Sequence, residues 1–413
     1  MSSYQLHNAG YGQGSHPVIV RGEGAYLYSD DGRRLFDAGL GAGSQILGHA
    51  HPAVVAAVQR QIADGSIYLY NNPQIHDLCQ RLAALLPAPQ RHFVFSNSGT
   101  EATLRALRLA RAATGRQRIA CFHGGWHGMN EWTLLDDGGR FGAGITTLPD
   151  GIPQPVLDFS LLLPYNDERA FELLTAHGHE LAAVIIEPVQ GSNPRADILP
   201  FLQRLEAECR RLGILVIHDE IITGFRLAPG GAGQYWPLQP DIVTWGKILG
   251  GGLPIGLTSC TDEVAARTFG DRHKRILTGG TFSANPLVAA ASSAVLSQLA
   301  SADYRHIDQL GERFRSLLNQ GFKHQGLPMS AIGIGSFNRV AFTASHFRNR
   351  AERDALELPA ATQSRFRQQL LENGVLWPTN GIVFTGFCHQ QADIDWLCQQ
   401  VLAAAAGCLI SGA

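Results

Sequence analysis

The stretch DIVTWGKILGGGLPIG, residues 241–256, decides how the rest of this chain is interpreted. An apolar run at 242–245 predicts a buried strand, and Lys247 follows where that strand should end. Three glycines at 250–252 then allow the backbone to turn tightly and to approach a ligand. A lysine in such partly desolvated surroundings is neutral part of the time and can attack a carbonyl carbon. An isolated lysine is more often a surface residue that closes a strand, so the interpretation depends on its neighbours.

A carboxylate in the segment LGILVIHDE, residues 212–220, supports the reactive interpretation of the lysine. The apolar run at 214–217 is typical of a buried strand, so Asp219 would lie at the carboxyl edge of a parallel sheet, where ligands bind. A carboxylate at that edge can keep a pyridine nitrogen protonated. Two alternatives stay open for Asp219, a helix N-cap and an ion pair with Arg226. The neighbouring Glu220 is expected to be structural.

The segment FVFSNSGTEATLRALRLARAATG, residues 93–115, predicts a strand, a turn of small polar residues and a helix. Ser98, Gly99 and Thr100 therefore fall at the helix N-terminus. Free backbone N–H groups and the positive end of the helix dipole favour a phosphate at such a position. The alternative is an ordinary capping box, because Ser98 and Glu101 have the required spacing.

Glycines surround Trp126 in CFHGGWHGMNEW, residues 121–132, so its ring could stack on a flat heteroaromatic ligand. His123 and His127 are spaced like two metal ligands on a helix. The glycines disfavour a helix and no third ligand is evident, so we expect no metal site. Thr281, in the later turn GGTFSANP, is a second candidate phosphate donor.

Six segments in this order resemble the successive signatures of the class III aminotransferases, which are fold type I enzymes dependent on pyridoxal phosphate. The segments are SNSGTEA, FHGGWHG, IIEPVQG, HDEIITGFR, TWGKILGGGLPIG and GGTFSANP. The resemblance runs from about Gly22 to about Asp395 and is closest to the branch of glutamate-1-semialdehyde aminomutase. Several motifs in register are far more specific than any one of them.

This resemblance implies a role for each candidate residue and pyridoxal 5'-phosphate as the cofactor. Lys247 would form the Schiff base, and Asp219 would be the partner of the pyridinium nitrogen. The resemblance also implies a homodimer with shared active sites. The other implied contacts are Trp126 and Ile221 on the two ring faces, Glu187 near the ring hydroxyl, Ser98, Gly99 and Thr100 at the phosphate, and Thr281 at the phosphate of the neighbouring subunit.

Composition agrees with a globular enzyme. The 413 residues are 45% hydrophobic, which is enough to bury substantial cores. A net charge of −2 gives no electrostatic reason to expect a nucleic-acid or anionic membrane partner. Seven cysteines without paired metal-type spacing indicate reduced thiols and a cytoplasmic setting. No apolar run reaches about 18 residues, the length that would indicate a membrane span.

Strands and helices alternate to about residue 285, with strands expected at 119–123, 181–188, 214–220 and 241–245. This pattern predicts an α/β fold with a large, doubly wound, mostly parallel sheet and a smaller α+β domain. An antiparallel ribbon is expected around the turn signal Asp31-Gly32. We expect three parts: a ribbon segment of the small domain at 1–45, the large cofactor-binding domain at 46–285, and the C-terminal small domain at 286–413.

The substrate side departs from the family pattern. The segment GYGQGSHPVIVRGEG is too short for the arginine with which the aminomutases clamp a carboxylate, and Arg21 is not assigned that role. Ala42 stands near a position where the family places an aromatic residue, which predicts either a larger pocket or the loss of an apolar wall. Arg339 is a candidate for binding an anionic group, with a structural ion pair as the alternative. The glycine- and proline-rich stretch 135–159 is similar in length and placement to the gating loop of the aminomutases.

These features predict a pyridoxal phosphate-dependent aminotransferase that moves an amino group between an amino donor and a carbonyl compound in a specialised biosynthetic route. The missing carboxylate clamp indicates a ketone or aldehyde with neutral polar groups, such as an oxidised sugar or cyclitol, or a biosynthetic intermediate. One alternative is glutamate-1-semialdehyde 2,1-aminomutase or a related intramolecular aminomutase. Another, of a different class, is a regulatory protein that binds the cofactor without catalysis. The presence of both Lys247 and Asp219 argues against the latter.

Overall fold

The structure, a computed structural model, describes residues 17–87, 90–135, 150–271, 273–274 and 276–409. Its strands are β1 Ile19–Glu23, β2 Tyr26–Ser29, β3 Arg34–Asp37, β4 His92–Ser96, β5 Arg118–Phe122, β6 Ser160–Leu163, β7 Leu181–Ile186, β8 Leu215–Asp219, β9 Ile242–Gly246, β10 Gly256–Cys260, β11 Ser330–Ile334, β12 Phe337–Ala341, β13 Val375–Leu376 and β14 Ile382–Phe384.

Side-chain caps and glycines set the ends of several helices. Asn285 accepts a hydrogen bond from the first turn of its helix, and Gly115 and Gly213 end two others in the left-handed conformation. The helices are α1 Leu40–Gly43, α2 Pro52–Asp64, α3 Pro73–Leu85, α4 Gly99–Thr114, α5 Arg169–His177, α6 Leu199–Leu212, α7 Ala232–Tyr235, α8 Asp262–Thr268, α9 Pro286–Leu299, α10 Tyr304–His324, α11 Arg350–Leu356, α12 Ala360–Glu372 and α13 Gln391–Leu409.

The large sheet has seven strands in the order β4-β10-β9-β8-β7-β5-β6. The neighbouring pairs from β6 to β9 are parallel, which confirms the predicted mostly parallel α/β sheet. The antiparallel strand β10 was not expected from the sequence. It lies between β4 and β9, and Gly256 pairs with Ser96 on one side and with Gly246 on the other.

Helices cover both faces of this sheet, as a doubly wound fold requires. Successive residues of β7 point to opposite faces, so Val184 packs in one core cluster with Leu202 of α6. Ile185 packs in another cluster with Leu107 of α4. All six residues of β7 are buried, which explains why its sequence is a continuous apolar run.

The predicted N-terminal ribbon is confirmed, since β1, β2 and β3 form an antiparallel meander. Strand β13 pairs in parallel with β3, placing Val375 opposite Phe36 and joining N-terminal and C-terminal segments in one sheet. Strands β11, β12 and β14 form a third, antiparallel sheet. The three domain bounds stay a prediction. In the part of the chain that the structure describes, no helix is long and apolar enough to cross a membrane.

Candidate active site

A cavity of about 470 Å³ lies at the carboxyl ends of β8 and β9 and at the N-terminus of α4. This is the sheet edge at which the sequence predicts a ligand. Eight of the predicted site residues line this cavity together: Ser98, Gly99, Thr100, Trp126, Glu187, Asp219, Ile221 and Lys247.

Asp219 ends β8 and is held by three hydrogen-bonding groups. Its Oδ2 lies 2.7 Å from Nδ1 of His127, and its Oδ1 accepts a hydrogen bond of 3.0 Å from the Thr244 hydroxyl. The backbone N–H of Ile221 donates to the same Oδ1 at 3.2 Å. The carboxylate is 3% exposed, so these contacts replace the water that it has lost. The alternative of an ion pair between Asp219 and Arg226 is wrong, because Arg226 donates a hydrogen bond to the backbone oxygen of Gly43 instead.

His127 is a functional candidate that the sequence interpretation missed. The spacing of His127 and His123 resembles that of two metal ligands. In the structure, however, the His127 ring is buried and forms a hydrogen bond with Asp219. Its backbone oxygen accepts hydrogen bonds from Thr103 and Asn130, at 2.7 and 3.0 Å, which fix the loop. Among the described residues, no group of three or more potential ligands could hold a metal ion.

Glu187 joins two loops beneath the cavity. Its Oε2 accepts a hydrogen bond from the backbone N–H of Trp126, and its Oε1 accepts one from Gly191, both at 3.0 Å. Burial raises the pKa of Glu187 to about 7, against the opposing effects of His127 and of these two N–H groups. Glu187 therefore positions the Trp126 loop and is about half protonated near pH 7.

The N-terminus of α4 forms one end of the cavity. The Ser98 side chain caps the helix by accepting from the N–H of Glu101 at 3.1 Å, as the capping alternative requires. A hydroxyl that accepts one hydrogen bond still has its own proton to donate, so capping and ligand binding are compatible. The hydroxyl oxygen of Thr100 accepts a hydrogen bond from the N–H of Met129 at 3.1 Å, which ties the Trp126 loop to this helix.

Ile221 forms an apolar wall that two glycines make possible. A Cβ atom added to Gly99 would lie 3.1 Å from Cδ1 of Ile221, and one added to Gly246 would lie 3.0 Å from the same atom. Both distances are tighter than ordinary van der Waals contact. The glycines therefore let Ile221 approach the floor of the cavity between the helix end and the lysine.

Lys247 follows β9 in a left-handed backbone conformation, with φ of 44°. This conformation is rare outside glycine and costs on the order of 1 kcal/mol, which the surrounding packing must offset. Gly251 and Gly252 follow at positive φ, as the glycine run predicts. The side chain of Lys247 is half-buried and lines the cavity.

Gly256 sets the spacing between the two ends of the cavity. It is the first residue of β10, paired with both β4 and β9, and a Cβ atom there would overlap the backbone oxygen of Ser98. Only glycine allows the turn before α4 to lie this close to the start of β10.

Three predicted residues, Ala42, Arg339 and Thr281, do not line this cavity. Ala42 is exposed in a left-handed turn, and Ser44 lines the cavity instead. Arg339 is buried in an ion pair with Glu357, at 3.5 Å, and burial lowers its pKa to about 9. The structural alternative therefore holds for Arg339. Thr281 is exposed, and its proposed contact with a second subunit is not tested by one chain.

The candidate gating loop at 135–159 falls mostly outside the described residues, because positions 136–149 are not described.

Comparison with known proteins gives a consistent result. The family model “Aminotransferase class-III” matches residues 10–404. Glutamate-1-semialdehyde 2,1-aminomutase of Thermus thermophilus is 37% identical over 398 residues, covering 92% of this chain and 90% of the relative. An omega-transaminase from Sphaerobacter thermophilus superposes with a TM-score of 0.88 at 30% identity, covering 98% of this chain and 93% of that one.

A third similar protein is described as a transaminase with bound PLP. It superposes with a TM-score of 0.88 at 27% identity, and the match covers 99% of this chain and 95% of that one.

Gly128 is predicted to be essential for the contact between the Trp126 loop and α4. It has φ of +82°, and a Cβ atom would lie 2.7 Å from Cα of Thr100, so Gly128→Ala combines backbone strain with a steric clash. We expect the free energy of unfolding, measured with urea, to fall by about 2–4 kcal/mol.

The matched control is Gly115→Ala, at the end of α4. Gly115 has φ of +72° but nothing within 4 Å of an added Cβ atom, so this variant reports the cost of the backbone conformation alone. That cost should be about 1 kcal/mol. Equal destabilisation by the two substitutions would contradict the proposed clash with Thr100.

Proposed function

Because this chain belongs to the class III aminotransferases, we propose that it transfers an amino group from an amine donor to a separate carbonyl acceptor. The enzyme depends on pyridoxal phosphate, as its family and its structural relatives do. The observation that carries the proposal is the meeting of Lys247, Asp219 and the N-terminus of α4 in one cavity. These groups match the three ends of the cofactor, its aldehyde, its ring nitrogen and its phosphate.

The residues present fit this cofactor. Gly99 and Gly128 are placed where a side chain would close the cradle at the helix N-terminus. Free N–H groups there favour a phosphate dianion. Ile221 offers an apolar wall, and Trp126 an aromatic one, for a planar ring. We assign Ser98, Gly99 and Thr100 to the phosphate and Glu187 to the side of the ring hydroxyl.

When bound, the cofactor supplies an aldehyde for condensation with amines and a ring that accepts an electron pair. Lys247 would hold it covalently through Nζ and, once released, would take a proton from the substrate and return it at another carbon. Asp219 would keep the ring nitrogen protonated. His127 and Thr244 orient the Asp219 carboxylate for this task through their hydrogen bonds.

Transfer between separate molecules is favoured over intramolecular rearrangement by the substrate side of the cavity. Its described lining contains no arginine that could clamp a substrate carboxylate. Ala42 and Arg339, the two positions considered for that side, both lie away from it. An uncharged carbonyl substrate fits such a lining. The alternative is an aminomutase, supported by the Thermus thermophilus relative at 37% identity.

We further propose that the active enzyme is a homodimer in which Thr281 serves the site of the second subunit. Thr281 is exposed, and so are the apolar neighbours Leu277 and Phe282, at 74% and 55%. Leu69 and Tyr70 are also exposed, at 76% and 86%. Apolar side chains so open to solvent are typical of a surface that another protein covers.

Transfer and rearrangement are distinguished by the need for an external donor. The purified holoenzyme should turn over a neutral ketone or aldehyde only when an amine donor is added, with one equivalent of donor consumed for each product. Mass spectrometry of both partners measures this stoichiometry. Turnover of glutamate 1-semialdehyde without added donor would contradict transfer and support the aminomutase alternative.

Lys247→Ala should bind pyridoxal phosphate without forming a covalent bond that borohydride can reduce. The chain has only three lysines, at 247, 274 and 323, so peptide mapping of the reduced protein identifies the site without ambiguity. The exposed Lys323 gives the matched control, since Lys323→Ala should be labelled as fully as the wild type. Undiminished labelling of Lys247→Ala would show that another lysine reacts.

Asp219→Asn removes the negative charge and keeps the size of the side chain. We expect kcat to fall at least about a hundredfold, equivalent to roughly 2.7 kcal/mol of barrier, with little change in cofactor binding. Glu220→Gln is the control at the adjacent position. Glu220 accepts hydrogen bonds from the backbone N–H groups of Ala232 and Gly233. Glu220→Gln should therefore lower the free energy of unfolding while leaving kcat much less affected. Near-normal kcat in Asp219→Asn would contradict the role at the ring nitrogen.

Thr281→Ala should weaken cofactor retention through the second subunit. In mixed dimers of Lys247→Ala and Thr281→Ala chains, one site combines an intact lysine with an intact Thr281 from the partner. We therefore expect wild-type cofactor affinity at half of the sites, measured by dialysis and absorbance. Weak binding at every lysine-containing site would place Thr281 in its own chain, and a fully active monomer would contradict the shared site.

A further inference from the structure

A second cavity lies beside the proposed cofactor site. Its volume is about 330 Å³, and its walls are mainly apolar. One wall is the face of α2 that carries Val54, Val55 and Val58. Ile46 and Ile248 lie among the other apolar lining residues. None of the roles assigned above uses this space.

The two cavities are adjacent and share a boundary. Ser44, Gly252 and Leu253 line both of them. Lys247 lines the cofactor cavity and the next residue, Ile248, lines the second one. A group attached to a carbon held beside the lysine would have only this shared boundary to cross in order to reach the second cavity.

A polar group stands at the boundary between the cavities. Gly252 has φ of +102°, and a Cβ atom there would lie 2.8 Å from Nε2 of Gln45. The glycine lets the Gln45 amide lie across the boundary, where Gln45 lines the second cavity. An amide is neutral and both donates and accepts hydrogen bonds, so it tolerates an uncharged substrate and gives no counterion to a charged one.

Resting on the proposed function, we propose that this second cavity is the subsite for the side chain of the substrate. The substrate class is then amines and carbonyl compounds with an apolar, uncharged arm, such as a linear alkyl chain. The arm would pass Gln45 and lie against Val54 and Val58 of α2. An anionic end would find no lysine or arginine among the described lining residues, where His51 is the one side chain that can carry a positive charge.

The direct test is the dependence of reactivity on chain length. The first half of the reaction needs only the holoenzyme and an amine, and the absorbance of the cofactor reports it. Each buried methylene is worth about a fourfold gain in the second-order rate constant. From n-propylamine to n-hexylamine we therefore expect a gain of roughly sixtyfold.

Val58→Phe should fill the subsite and reduce this gain to below about fivefold, because the added ring occupies the volume that the chain needs. Ile62→Phe is the matched control. Ile62 lies on the same helix, is 53% exposed and is not part of the cavity lining, so the sixtyfold gain should persist there. For each variant, the rate constant with n-hexylamine is divided by the rate constant with n-propylamine. A change that affects both reactions equally therefore cancels.

Hexan-1-ol provides a readout that requires no reaction. Calorimetry with the wild-type holoenzyme should detect its binding, and Val58→Phe should weaken that binding at least about tenfold while Ile62→Phe leaves it unchanged. If neither amine reacts but hexan-1-ol binds as described, the proposed function fails and the apolar subsite stands.

Three results would overturn the subsite. They are equal reactivity of the two amines in the wild type, a gain that persists in Val58→Phe, and hexan-1-ol binding that is indifferent to Val58→Phe. Sedimentation velocity tests whether a second copy of the chain, instead of the substrate, occupies this cavity. A shift of Val58→Phe toward monomer with an unchanged chain-length gain would show that a second copy of the chain fills the groove.

Discussion

The hydrogen bond between His127 and Asp219 is the contact on which the rest of the site depends. A carboxylate that is 3% exposed would be strongly destabilised without partners, because the energy lost on leaving water amounts to several kcal/mol. His127, Thr244 and the N–H of Ile221 offset that loss. They come from the loop after β5, from β9 and from the turn after β8. The charge at the centre of the cavity therefore also fastens together the segments that form its walls.

Much of this arrangement could be predicted because it follows from strand order. Asp219 and Lys247 each follow an apolar run, and parallel neighbouring strands bring such positions to one edge of a sheet. The position of Ser98 at the start of α4 could be predicted because the capping signal depends only on residues three positions apart, Ser98 and Glu101. His127 could not be predicted in the same way. Its partner is 92 residues away, and the orientation of its ring depends on a loop whose backbone direction no periodic pattern specifies.

The substrate side was harder to predict for the same reason. The partner of Arg339 is Glu357, on a segment whose packing against β12 is not visible in any motif. Ala42 and Ser44 are two positions apart in a turn, and only its left-handed residues decide which of them lines the cavity. Family signatures cover the candidate cofactor contacts because the family depends on one cofactor. The relatives include an aminomutase and an omega-transaminase, so the residues that distinguish substrates lie outside those signatures.

The pairing of Gly256 with both β4 and β9 has a consequence for how such an enzyme can change. Two strand spacings, together about 10 Å, separate the segment that ends before α4 from the segment that ends at Lys247. Backbone hydrogen bonds maintain this interval, and no loop can stretch or shorten it. The sheet thus fixes the distance between these two segments, while turns and helix faces form other parts of the cavity walls. Substitutions in those turns and helix faces can therefore change the shape of the cavity without changing the distance between β4 and β9.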